Sequence, residues 1–438
     1  MAPDSDSSSE VVGQRTHPLT AVVQGARWAA AASVGLVSSV FSGDGWGDLS
    51  PLLSLLIALG GGLVLGMGVG FLSWLFTRYV IDGAELRINS GVITKSSRRI
   101  PYERIQSVDI AEPLIARLFG LAELRIEMAG GKDSRTALHF LPLAGAGELR
   151  RVLLARSDGD QQADSHAPER RTVIAVVPPK RVIIGTVLSL DFAFAALGSL
   201  GLLVGAIWFG QVIVLLGGIV PLGSWLVQIV GKRVLQQWDF TLSRGEGGLR
   251  IERGLLSRTS QTIPFARVQG IAVKEPYVWR RFGWQRLEVD IAGYAASAGE
   301  TDTDSSSTLL PIADGPLAAA IIAELIPGSA FESVSRTQAP RRSRLFAPIG
   351  WRYRWVGADE RTFVAREGWV ERTTDIVPHH KTQSVELTQG PLQRRRRLAT
   401  IEVHTPQGPV DADGRNLDEQ DARRIALAQL QRARTART

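Results

Sequence analysis

The sequence predicts a multidomain α+β membrane protein, with four transmembrane helices in two hairpins and three small β-barrel or sandwich domains, each closed by a C-terminal helix. Three observations predict it. Residues 52–77 carry no charge, and residues 182–230 carry only Asp191. One short pattern is written three times: RIPYERIQSVDIAEPLIARLFGL (99–121), TIPFARVQGIAVKEPYVWRRFGW (262–284) and IVPHHKTQSVELTQGPLQRRRRL (376–398). The polar segments around each copy alternate apolar and polar residues with the period of two that marks half-buried strands.

The elements follow in order. Residues 1–20 are acidic and Ser-rich at the start and read as a disordered tail, not a signal peptide, since no positive region precedes an apolar one. Residues 21–41 form the first expected span, with Arg27 near enough to its start to snorkel. Residues 52–77 form the second. At 1.5 Å per residue, about 20 residues cross a bilayer. Gly62, Gly66 and Gly70 fall on one face, where small residues admit close packing, and the preceding helix is the expected partner. Residues 82–156 form domain 1 and 157–180 a linker. A second hairpin takes 181–232, with helices near 182–207 and 210–230, a turn at Trp208–Gln211 and a kink at Pro221. Domain 2 spans 236–328, a linker 329–345 and domain 3 346–436. Lys and Arg flank both hairpins, while the loop SGDGWGDLSP has none. The positive-inside rule then places both termini and all three domains in the cytoplasm, at the bacterial cell membrane.

Composition narrows the function. The net charge is +7, and the mean hydropathy of +0.05 is high for a soluble chain. A basic balance in a membrane protein fits loops drawn to anionic lipid. Nucleic-acid binding would need a matching fold, which the pattern does not offer. The chain has no cysteine, which excludes disulfides, thiolate metal sites and cysteine nucleophiles.

Residues 86–130 and 249–293 align without a gap. They share Gly91/Gly254, Pro101/Pro264, Arg104/Arg267, Gln106/Gln269, Pro113/Pro276, Arg117/Arg280 and Phe119-Gly120/Phe282-Gly283. The third copy keeps Gly368, Pro378, Gln383 and Pro391, places Lys381 at the arginine, and puts Arg396-Arg397 where the others have Phe-Gly. Repetition of this length means duplicated domains. Carried by these residues and by the order hairpin, domain, hairpin, domain, domain, the chain resembles the bacterial PH domain family of YdbS and YdbT type, in its longer YdbT-like form. The resemblance implies PH-like barrels capped by a C-terminal helix, and a partner chain of the YdbS-like kind. It implies no catalytic activity.

No catalytic constellation is visible: no phosphate loop, no H-E-x-x-H and no nucleophile elbow. His379 and His380 are adjacent and, in a strand, would point to opposite faces, so no metal or other cofactor is expected. Arg104 and Arg267 are expected to brace a strand, with Glu112 or Glu275 as a carboxylate partner; phosphate contact is the alternative. Arg117, Arg280 and Arg281 lie at an expected turn beside aromatic residues. Arg394, Arg395, Arg396 and Arg397 repel one another unless solvated or facing anions. Together these are the candidate lipid or partner contacts. Asp191 is expected near mid-bilayer without a basic partner, in a structural or a functional role. The expected function is a membrane-anchored, non-enzymatic scaffold that presents its domains to anionic lipid or a protein partner. The alternative is a transporter or a component of export or resistance.

Overall fold

A computed structural model describes residues 14–15, 18–41, 51–76, 78–81, 85–90, 96–128, 135–157, 172–209, 220–245, 248–292, 307–406 and 408–437. The chain forms two compact units, Met1–Ala167 and Pro168–Thr438. Residues 1–13, most of the expected tail, lie outside the described residues.

In the first unit, helices α1 (Leu19–Phe41) and α2 (Pro51–Leu75) pack as an antiparallel hairpin. The glycine stripe does what its spacing predicts. A Cβ at Gly66 would stand 2.1 Å from the Ala29 backbone nitrogen, and one at Gly70 2.3 Å from that of Gly25. On α1 the facing stripe is Ala21, Gly25, Ala29 and Ser33, again four residues apart. The pairing is therefore backbone against backbone.

Four strands, β1 (Gln14–Arg15), β2 (Arg78–Ile81), β3 (Glu85–Ser90) and β4 (Ser96–Pro101), form one sheet. A meander of β5 (Ile105–Pro113), β6 (Leu121–Met128) and β7 (Arg135–Pro142) follows, with the one-turn helix α3 (Leu114–Leu118) between β5 and β6. Leu86 and Ile88, Val108 and Ile110, and Leu124 and Ile126 alternate inward. Ala146, Leu149 and Leu153 of α4 (Leu143–Ser157) close the same core. Strand β1 precedes the helical hairpin and β2 follows it, so the hairpin is an insertion within the domain.

The second unit repeats this plan. Strand β8 (Thr172–Val177) pairs with β9 (Phe240–Arg244), and between them run α5 (Pro179–Val187), α6 (Leu190–Phe209), α7 (Val220–Val230) and a π-helical turn, Gly231–Leu235. The linker expected at 157–180 thus contains the first strand of domain 2. Strands β10 (Gly248–Arg253) and β11 (Ser257–Pro264) complete that sheet. Then come β12 (Val268–Pro276), β13 (Trp284–Ile291), β14 (Thr308–Asp314) and the closing helix α8 (Gly315–Leu325). Domain 3 has β15 (Thr337–Gln338), β16 (Trp355–Ala358), β17 (Thr362–Glu367) and β18 (Glu371–Pro378). It continues with β19 (Ser384–Thr388), α9 (Pro391–Arg395), β20 (Leu398–His404), β21 (Ala412–Asp418) and α10 (Glu419–Thr435). Where the other domains insert apolar helices, domain 3 inserts two 3-10 turns, Arg341–Leu345 and Gly350–Tyr353.

Domains 2 and 3 share a sheet. Strand β12 pairs with β18, matching Ile271 with Ile376 and Pro276 with Glu371. The result is seven strands in the order β14-β13-β12-β18-β17-β16-β15. One face (Ile271, Val273, Leu287, Val289, Val364, Ile376) belongs to the core of domain 2. The other (Ala272, Val356, Phe363, Ala365, Val377) belongs to the core of domain 3. Each domain therefore lends strands to its neighbour, and neither is a separable bead.

The four expected spans are reduced. Among the described residues, α2 over Leu56–Leu75 is the one helix long and apolar enough to cross a membrane; the pair α5 and α6, bent by 55°, gives a second if counted as one span. The bend has a cause. Ser189 breaks the helix, its Oγ donating to the Thr186 carbonyl at 2.7 Å while accepting from the Phe192 amide at 3.4 Å. Helix α5 is docked on the barrel, with Val182 in the domain 2 core and the Gly185 carbonyl accepting from Trp279 Nε1 at 3.1 Å. The turn expected at 208–211 runs past the end of α6, where residues 210–219 lie outside the described residues. The kink expected at Pro221 adjoins these residues and lies at the edge of the described part of α7.

Candidate functional site

Each repeated pattern folds as a corner between two sheets. Pro101, Pro264 and Pro378 end a strand and open a 3-10 turn, Tyr102–Arg104, Phe265–Arg267 and His379–Lys381, from which the next strand leaves. Proline suits this place because its fixed φ starts the turn and its missing N–H costs nothing there. Gln269 is buried and donates from Nε2 to the Arg267 carbonyl at 3.2 Å, whereas Gln383 is exposed. Nothing is described of the Gln106 side chain. Lys381 reaches across the junction and donates to the Ala266 carbonyl at 2.6 Å. Glu275, an expected partner of Arg267, pairs with Arg372 at 3.5 Å. His379 and His380 lie in the corner and not in a strand. His379 is buried at 3.1 Å from the Asp359 carbonyl, and His380 is exposed. His404 stands with Glu386 and Glu402 on an outer sheet face, the three ligand atoms within 4.8 Å of one another.

The second half of the pattern makes a knuckle. In domain 1 the knuckle exposes Leu114, Ile115, Arg117, Leu118 and Phe119; in domain 2 it exposes Tyr277, Arg281 and Phe282, with Arg280 half-buried. Gly120 and Gly283 end these knuckles at φ +66° and +65°. Arg397 holds the same place in domain 3 at φ +54°. The sequence had shown a departure from the pattern there; the backbone keeps the left-handed turn without the glycine. Arg394, Arg395, Arg396 and Arg397 are all exposed, and among the described residues none pairs with a carboxylate.

In the second unit one end of the shared sheet gathers these features. Pro276 lies opposite Glu371, Trp355 opposite Arg366, and Gln338 opposite Trp355. The knuckle after β12, the turn at Trp369 and Val370, and the insert between β15 and β16 therefore leave the sheet at the same end. Tyr277 meets Trp369 at 6.1 Å between ring centroids, and Arg280 donates to the Trp369 carbonyl at 2.5 Å. The same knuckle touches α5 through Trp279. The β10–β11 turn touches the end of the π-helical turn, where the Leu255 amide donates to the Leu235 carbonyl at 2.8 Å. The chain thus enters and leaves its apolar helices at this rim. Leu345 and Ile349 of the domain 3 insert are each 59% exposed there, among exposed Arg341, Arg344 and Arg352. No acidic residue lies between 340 and 358.

Asp191 is placed differently from expectation. The break at Ser189 puts it in the first turn of α6, where it pairs with Arg233 at 2.5 Å. Arg233 lies just past α7, so the carboxylate sits at the polar end of the helices with a basic partner. Asp191 and Arg233 are 42 residues apart, so nothing local in the sequence marks this pair.

Three segments of the chain, residues 28–157, 192–328 and 317–433, match the family model for the bacterial PH domain. The chain belongs to this family: it is a bacterial PH domain protein with three copies of the domain. It is similar to the UPF0699 transmembrane protein YdbT of Bacillus subtilis (strain 168), with 23% identity over 276 residues. The match covers 54% of this chain, and the chain spans about half the length of that relative (54%).

Proposed function

We propose that the protein is a membrane-anchored, non-catalytic scaffold that holds its PH-like domains against the anionic surface of the bilayer carrying it. The observation that carries this reading is the rim of the second unit. Exposed Leu345, Ile349, Trp369 and Phe282 stand among exposed Arg281, Arg341, Arg344 and Arg352, at the end where the apolar helices join the barrel, while Arg342 and Arg354 nearby pair with Asp418 and Glu367. Apolar side chains enter the interfacial zone while arginines meet headgroup phosphates, each cation near the surface contributing about 1 kcal/mol. Anchoring supplies high local concentration, so weak contacts suffice. The insert of domain 3 occupies the place that apolar helices take in domains 1 and 2, which supports its lying on the same bilayer. The pairing of Asp191 with Arg233 supports anchoring over transport. The orientation proposed is the cytoplasmic one, with headgroups of the inner leaflet as ligand.

The cysteine-free chain allows a direct test. An environment-sensitive dye on L345C is compared with one on E360C, an exposed site in the β16–β17 turn at the other end of the sheet. Both are read in nanodiscs containing lipid-borne bromine quenchers. The expectation is quenching at 345 that grows with phosphatidylglycerol content and is absent at 360. Equal, weak quenching at both sites in every lipid would refute the docking.

A further inference from the structure

The junction of domains 2 and 3 encloses a cavity of about 290 Å³. Its floor is one row across the shared sheet: Trp355, Arg366, Thr374 and Val273, each opposite the next. The roof is the first half of α8, where Gly315, Ala318 and Ala319 are too small to fill the space. Arg336, from the connection between α8 and β15, completes the lining with two carboxylates, Glu275 and Glu332.

The row is a strange place for a cation. The sheet face around it is the apolar core of domain 2, where Val364 and Ile376 are fully buried. Arg366 is partly buried, and a charge drawn out of water is costly unless it is paired. Yet Arg366 has no carboxylate partner among the described residues. Its Nε donates to Thr374 Oγ1 at 2.7 Å, and its guanidinium lies 5.2 Å from the centroid of the Trp355 ring. No hydrogen bond from its two terminal nitrogens is formed among the described residues. Glu275, whose charge acts on Arg366, is engaged by Arg372. A second cation shares the ring: Arg336 lies 4.8 Å from the same centroid, and its Nη2 reaches only the Glu332 carbonyl, at 3.4 Å. Burial lowers the pKa of Arg366; Glu275 opposes the shift, and Arg372 and Arg336 add to it. Two guanidiniums thus share one aromatic ring, the partly buried Arg366 and the exposed Arg336, and among the described residues neither forms an ion pair with Glu275 or Glu332, which line the same cavity.

We propose that this cavity binds a small phosphate ester, its phosphate held by Arg366 and Arg336 and its organic part lying against Trp355 and Phe331. Guanidinium forks match phosphate oxygens, and a doubly charged group suits two of them. The volume exceeds what a phosphate alone needs and approaches the lower end of small-molecule pockets, about 300 Å³. Gln285 and Thr374 supply polar contacts for hydroxyl groups on the ester. The source is either a free metabolite or the headgroup of a phospholipid, since both present this chemistry.

The test uses the full chain in nanodiscs of neutral lipid, titrated calorimetrically with glycerol 1-phosphate. Saturable binding is expected for the wild type. R366Q and R336Q should weaken it at least tenfold, and A319L, which fills the cavity and keeps both charges, should abolish it with the thermal midpoint retained. A repeat in phosphatidylglycerol nanodiscs separates the sources: competition by the lipid points to a headgroup, undiminished binding to a free ester, and both support the site. No saturable binding to ester or lipid, or wild-type binding by A319L and R366Q, would overturn the proposal. Because A319L leaves the rim intact, its dye signal at residue 345 distinguishes failure here from failure of bilayer docking.

Discussion

Asp290 offers a prediction whose size can be worked out. It lies near the end of β13, opposite Gly270, and is almost fully buried at the junction of domains 2 and 3. Its Oδ2 accepts a long bond of 3.4 Å from Thr405 Oγ1, while its Oδ1 is buried without a partner. Burial raises its pKa from 3.8 to about 7; the bond from Thr405 works against this, and the charge of Asp411 works with it. The folded protein therefore keeps a proton that the unfolded chain gives up near pH 4. Stability falls as pH rises from about 4 to about 7, and the loss is complete above that. Three pKa units at about 1.4 kcal/mol each give roughly 4 kcal/mol as an upper figure. D290N cannot titrate, so its advantage over the wild type should grow across this window and level off above it. The assay is thermal unfolding of the detergent-purified chain at pH 5 and pH 8. Asp375, also buried and also raised mainly by desolvation, leaves a residual slope of the same sign in the variant. A stability difference between D290N and wild type that is the same at both pH values would refute the reasoning.

Two further outcomes follow from backbone geometry. R397G should raise stability by about 1 kcal/mol by relieving a non-glycine left-handed residue, whereas R397A, which also removes the charge but keeps the strain, should bring no gain; thermal midpoints of the two variants decide it. G66L should force α1 from α2 and destabilise the hairpin by several kcal/mol, while G61A, whose Cβ would meet nothing closer than Leu36 Cδ1 at 3.8 Å, should be tolerated; unfolding in a detergent series checks both.

The parts of the fold legible in the sequence are those made by neighbours in the chain. The stripe Gly62, Gly66 and Gly70 announced a close helix pair, and the repeats announced three domains, though not that Pro101, Pro264 and Pro378 would turn corners between sheets. A closing helix ends each domain, as the sequence predicts, but the last one buries Ala422, Ala426, Gln429 and Ala433 and leaves Leu427 of its expected apolar side exposed. What stayed hidden depends on distant partners. Gln14–Arg15 and Thr172–Val177 read as tail and linker because a strand's role is set by the strand it finds, here one beyond an inserted hairpin. The run TVIAVV, rich in β-branched residues, was the available signal. The β12–β18 pairing leaves no periodic mark, only the small Gly270 and Ala272 where two cores meet. For the candidate site, the sequence pointed to the exposed arginines of the knuckles. It did not point to Arg336, Arg366 or Trp355, since each looks like ordinary strand or loop sequence until the junction brings them together.

The insertion of helices between first and second strands has a consequence for biosynthesis. Strand β8 leaves the ribosome well before β9, and the whole apolar segment must be made and placed before the two can meet. Barrel closure in domain 2 is thereby timed by the settling of its helices, and the same order holds for β1 and β2 in domain 1. Domain 3, whose insert is only two short turns, can assemble as soon as its strands emerge, but it needs β12 for its edge. The last domain to be made thus completes its sheet on β12 of the domain made before it.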